Sequence, residues 1–111
     1  MTAKKVKYTE SSGNVYQDLG FTDSEERLAK AKLAMRIDEI IQKKKYTQAQ
    51  AAEILGINQP KVSALINGRL SGFSLEKLIH FLNLLQQDIE IIVKDKRARN
   101  KSQGYLNVVF A

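Results

Sequence analysis

Apolar positions recur at helical spacing through most of the chain and switch to every second position after residue 88. Leu33, Ile37, Ile40 and Ile41 stand at i, i+4, i+7 and i+8, which puts them on one stripe of a helix. The run Thr22-Asp23-Ser24-Glu25-Glu26 supplies a start for that helix. A short side-chain oxygen can cap the first free amides, and the carboxylates favour the positive end of the dipole. Lys43, Lys44 and Lys45 suit the opposite end, so the helix is predicted to run from about 22 to about 45. Leu28, Ala31 and Met35 form a weaker second stripe, expected to lie under the apolar patch Val15, Tyr16, Leu19 and Phe21. Residues 1–13 have no period and end in Ser-Ser-Gly, which reads as a flexible arm.

Three shorter helices are predicted next. Thr47 caps one that runs to Leu55 with Ala51, Ile54 and Leu55 inward, and Gly56 is placed to end it in the left-handed conformation. Asn58 caps another, with Pro60 in the first turn, where a missing N–H costs nothing. Its inner face is Val62, Leu65 and Ile66, and Asn67-Gly68 closes it. Ser74 caps the last, packed through Leu75, Leu78, Ile79, Leu82 and Leu85 and running to about Gln86. Beyond Asp88, Ile89, Ile91 and Val93 alternate with Glu90, Ile92 and Lys94, the pattern of a strand. Tyr105–Phe110 is a second candidate strand, able to pair within the chain or with a partner. The expected fold class is therefore mainly α, with a short C-terminal β-strand or hairpin. Its organisation is an N-terminal arm and patch (1–21), a helical domain ending in a strand (22–94) and a basic tail (95–111).

Length confines the chain to one domain with one core: it has 111 residues, of which 43% are hydrophobic, an ordinary share for a folded protein. No apolar stretch approaches the ~20 residues that span a bilayer, and no apolar run follows the opening Met1-Thr2-Ala3-Lys4-Lys5, so neither a membrane partner nor a secretory signal is expected. Cysteine is absent, which excludes disulfides and thiolate metal sites and suits a cytoplasmic protein. The formal net charge of +6 favours a polyanionic partner, since each neutralised phosphate releases condensed counterions. The positive charges gather at Lys4, Lys5 and Lys7, at Lys43–Lys45, and at Lys94, Lys96, Arg97, Arg99 and Lys101.

The functional signal lies in Gln48–Gly68. Two short helices meet at a fixed angle only when the turn is tight and the contact small. Gly56 supplies the turn, Ala51 and Ala52 the close approach, and Ile57, Val62 and Leu65 the anchorage. Gln59, Pro60, Ser63, Ala64 and Asn67 are left along the outer face of the third helix. That face carries short side chains and almost no charge, so it can enter a DNA major groove and offer hydrogen bonds to base edges. An αα-hairpin that merely packs would not need caps, glycine, alanines and apolar positions to agree in one register. The candidate base-reading set is Gln59, Lys61, Ser63 and Ala64, and Lys45 is a candidate phosphate contact.

From about Ala34 to Leu85 the chain resembles the lambda-repressor-like (XRE/Cro) helix-turn-helix domains. The resemblance implies that Gln48 contacts a phosphate and buttresses the third helix, that Gln59 reads a base, and that Asn67, Gly68 and Arg69 anchor phosphate. Pro60 departs from the polar residue usual at its place, where the family makes a second base contact. A narrower resemblance, to HigA-type antitoxins, is carried by Ser12–Gly20, by Phe73-Ser74-Leu75-Glu76-Lys77-Leu78 and by Gln87-Asp88-Ile89-Glu90-Ile91-Ile92-Val93. It implies neutralisation of a RelE/HigB-like ribonuclease toxin and repression of the shared operon.

Catalysis finds no constellation. His80 is the one histidine, Asp38-Glu39 and Glu25-Glu26 are neighbours that point apart around a helix, and no phosphate-binding glycine loop is present. Neither enzymatic activity nor a cofactor or metal is expected. The reading is a sequence-specific repressor of double-stranded DNA that binds a pseudo-palindromic operator as a homodimer and, as the second resemblance implies, is an antitoxin that represses its own operon. Ile89, Ile91 and Val93 are expected at the dimer interface, because a lone strand leaves backbone edges to be paired. Two alternatives stay open: a stand-alone phage-type regulator, and a toxin-blocking module with weak DNA binding.

Overall fold

The computed structural model describes residues 23–95 and 104–111. Four helices follow in order, α1 (Asp23–Lys44), α2 (Gln48–Leu55), α3 (Gln59–Ile66) and α4 (Leu75–Leu84). Each short helix begins where a side-chain oxygen replaces a missing backbone acceptor. Thr47 Oγ1 accepts from the Gln50 amide at 3.0 Å while the Thr47 amide donates to Gln50 Oε1 at 2.8 Å, a reciprocal capping box. Asn58 Oδ1 accepts from the Lys61 amide at 2.9 Å, and Ser74 Oγ from the Lys77 amide at 3.0 Å.

All four helices also end alike. The chain turns left-handed at Lys45 (φ 60°), Gly56 (φ 72°), Gly68 (φ 77°) and Gln86 (φ 68°). The next amide then reaches back to the carbonyl five residues earlier: Tyr46 to Ile41, Ile57 to Ala52, Arg69 to Ala64 and Gln87 to Leu82. This satisfies carbonyls that the helix itself leaves bare.

The core is built on the predicted stripe. Ile37, Val62, Leu78 and Phe81 are wholly enclosed, joined by Leu33, Ile41, Ala51, Leu55, Leu65 and Leu82. The long α1 is the spine against which α4 and α3 pack, and α2 is fastened mainly to α3. Ala51 and Ala52 are buried at that junction, as the close approach of two short helices requires. Phe73 and Phe81 meet edge to face, centroids 6.0 Å apart, and close the core beside α3. On α1, Lys30 is buried with its ammonium 2.7 Å from Glu26.

The strand expectation is corrected: no strand forms among the described residues. Ile91, Ile92 and Val93 are 82%, 74% and 89% exposed, so among the described residues the alternating run meets neither a partner strand nor a core face. Tyr105–Phe110 forms no hairpin with Ile89–Val93 either. It lies against α1, because Lys32 Nζ donates to Asn107 Oδ1 at 3.1 Å and to the Val108 carbonyl at 3.0 Å. The Arg36 guanidinium sits 4.3 Å from the Phe110 ring centre, and Val108 tucks against the core. Side chains of α1 thus take up polar groups that a hairpin would have paired. Residues 1–22, including the predicted arm, the Val15–Phe21 patch and Thr22 at the expected start of the first helix, and the basic stretch 96–103 fall outside the described residues. Leu28 and Met35, expected beneath that patch, are 57% and 59% exposed.

Candidate nucleic-acid interface

Everything that fixes the outward face of α3 is local. The Asn58 cap and Pro60 in the first turn set where the helix begins. Val62 and Leu65, fully enclosed, set its rotation about its own axis. With those two inward, Gln59, Pro60 and Asn67 are exposed, and Ser63 and Ala64 are half-buried at the same surface. The structure therefore gathers Gln59, Ser63 and Ala64 of the predicted base-reading set on one face. Ala64 packs partly against the core, so it offers a methyl at close range rather than a side chain that reaches.

Lys61 sits apart. Its backbone amide is held by the Asn58 cap, and its ammonium stands 5.9 Å from the centre of the Phe73 ring, drawn towards the segment that leads into α4. Phe73 was missed as a core and site residue because it lies between helices, where no periodicity marks it. Phe81 was missed because the helical stripe through Leu75, Leu78, Ile79 and Leu82 already accounted for the inner face of α4.

The predicted phosphate-binding residues surround this face. Gln48 is exposed in the first turn of α2, one residue after the capping Thr47, and Lys45 is exposed at the left-handed end of α1. Arg69 is exposed directly after Gly68. The backbone amides of Asn67, Gly68 and Arg69 all donate within the chain, to Ser63, Leu65 and Ala64, so a phosphate at this turn is left the Arg69 guanidinium. The Asn67 amide nitrogen also turns inward, donating to the Ser63 carbonyl at 2.8 Å and to its hydroxyl oxygen at 3.3 Å.

Other chemistry is not assembled. Among the described residues no three His, Cys, Asp or Glu side chains converge as metal ligands, and no helix is long and apolar enough to cross a membrane. Two open hollows border α1, one lined by Lys32, Met35, Arg36, Glu39, Val108 and Phe110, the other by Ile40, Lys44, Tyr46, Ile54, Leu84, Leu85 and Gln86.

Two short helices joined by a glycine turn, the second presenting an uncharged face ringed by basic and amide side chains, define a helix-turn-helix domain. The comparisons agree. Residues 15–94 match a family described as a helix-turn-helix domain. A solved structure named as an XRE family transcriptional regulator is 47% identical over 81% of this chain and all of its own, with a TM-score of 0.73. The chain belongs to the XRE-type helix-turn-helix family. No curated protein matches it.

Proposed function

We propose that this protein is a sequence-specific DNA-binding transcriptional repressor that acts as a homodimer and serves as the antitoxin of a toxin–antitoxin pair. The observation that carries the DNA half is the outward face of α3, whose rotation is fixed by buried Val62 and Leu65 and whose start is fixed by Asn58. On it Gln59 reads a base, Ser63 and Ala64 contact base edges beside it, and Lys61 lies along the flank. Gln48, Lys45 and Arg69 bind phosphates on either side and hold the register of α3 in the groove. Family membership supports the same role.

The proposed dimer forms through the C-terminal half. Ile91, Ile92 and Val93 form an apolar run left exposed among the described residues, and a second copy related by a two-fold axis would cover it through Ile89, Ile91 and Val93. Two copies of α3 then read half-sites about 34 Å apart, one helical turn of DNA.

The antitoxin role rests on the likeness of Ser12–Gly20, Phe73–Leu78 and Gln87–Val93 to HigA-type antitoxins, and it implies a small basic RelE-like ribonuclease encoded beside this gene. Selection of bound duplexes from a random pool tests the DNA half. Enrichment of a two-fold symmetric site is expected, and binding without enrichment would overturn it. Co-expression with the neighbouring reading frame tests the antitoxin half. A stable complex that silences ribonuclease activity is expected, and the lack of such a neighbour would leave a stand-alone regulator.

A further inference from the structure

We propose that Asn67 is a positioning residue that turns the Ser63 hydroxyl into a hydrogen-bond donor, aimed at an acceptor in the major groove such as a purine N7. The proposal rests on the reading of α3 as the DNA-reading helix. A serine hydroxyl is ordinarily ambivalent: it donates one hydrogen and accepts through two lone pairs, and within a helix it often donates back to a carbonyl one turn earlier. Here its oxygen accepts from the Asn67 amide at 3.3 Å, while the same amide nitrogen is anchored on the Ser63 carbonyl at 2.8 Å. Among the described residues the hydroxyl hydrogen has no acceptor, although Ser63 stands half-buried at the outward face of its helix.

The neighbours sharpen the assignment. Pro60 and Ala64, next to Ser63 on that face, present only C–H groups, so the nearest competing donor is Gln59, one turn earlier at the start of the helix. Purine N7 is an acceptor exposed in the major groove, whereas the cytosine edge offers only a donor. Asn67 thus contributes to specificity without touching a base. Its amide is spent on Ser63, and the anchoring of phosphate at this turn falls to Arg69.

The test uses the full chain and the duplex it selects from a random pool, with each purine in turn replaced by its 7-deaza analogue, which keeps pairing and loses only N7. One position per half-site is expected to lose affinity by about threefold to tenfold, the value of a single hydrogen bond. Ser63→Ala should abolish that dependence, binding native and 7-deaza duplexes equally. Asn67→Asp is the decisive variant. Its carboxylate can only accept, so it takes the Ser63 hydrogen, and the N7 dependence should vanish although Ser63 is intact. The added negative charge weakens both duplexes alike and cancels in the ratio. Circular dichroism would verify that both variants fold. If Asn67→Asp keeps the N7 dependence, or if no purine shows a dependence that Ser63→Ala removes, the assignment is wrong while the DNA-reading role of α3 stands. Failure of the protein to select any site would instead sink both.

Discussion

Gln86→Gly should raise stability, although it replaces a side chain by none. Gln86 holds the left-handed conformation that ends α4, at φ 68°, where Gly56 and Gly68 end α2 and α3 at φ 72° and 77°. A non-glycine residue in that region is strained by about 1–2 kcal/mol through the approach of Cβ to the following carbonyl. Removing Cβ relieves that strain but frees the unfolded chain, which takes back about 0.4–1 kcal/mol. Gln86 is exposed, and among the described residues its side chain holds no hydrogen bond, so little else is lost. The net gain is about 1 kcal/mol, which for a domain of this size moves the midpoint up by roughly 4–8 °C. Gln86→Asn, which tolerates the same backbone, should gain less. The reciprocal change is equally informative. A Cβ added at Gly56 or Gly68 meets no atom within 4 Å, so Gly56→Ala and Gly68→Ala should each cost about 1 kcal/mol from backbone strain alone, without a clash. Thermal unfolding followed by circular dichroism measures all four. A lower midpoint for Gln86→Gly, or unchanged midpoints for both alanine variants, would refute the left-handed caps.

Ile91→Asp should shift the protein from dimer to monomer in sedimentation at micromolar concentration while leaving the helical domain folded, because Ile91 is 82% exposed within one chain. A variant that stays dimeric would move the interface elsewhere. Lys32→Ala removes both hydrogen bonds that hold Asn107 and Val108 on α1 and should speed proteolytic loss of the last residues, with a stability cost of about 0.5–1.5 kcal/mol at most. Unchanged cleavage would show that Phe110 against Arg36, together with Val108, holds the segment by itself.

The helices were legible because each signal is local. Thr47, Asn58 and Ser74 cap where a short polar side chain precedes an apolar period, and Gly56 and Gly68 turn left-handed where glycine follows one. Lys45 and Gln86 adopt the same turn without glycine, so their sequence gives no warning of it. Phe73 escaped because it lies between helices, where its burial comes from meeting the Phe81 ring and no period marks it. The strand expectation failed within the chain because alternation records only that a segment has two unlike faces. It does not record what covers them, and here the α1 side chains Lys32 and Arg36 hold the C-terminal segment instead. At the site, exposure of Gln59 and the outward place of Ser63 followed from the period of α3. The turn of Asn67 onto Ser63 did not, because a side chain's choice among nearby acceptors is invisible in the residue types.

The claim that α3 reads bases is tested most directly by titrating the wild type, Gln59→Ala and Arg69→Ala against the selected duplex and a random duplex over a range of salt. Gln59 is exposed in the first turn and bears on nothing in the core, so its truncation should leave the fold intact. The account predicts that Gln59→Ala loses about 1–3 kcal/mol on the selected duplex and almost nothing on the random one. Arg69→Ala should weaken both duplexes together and lower the salt slope by about one. Equal losses on the two duplexes for Gln59→Ala would contradict the account, because that residue would then be binding DNA without reading it.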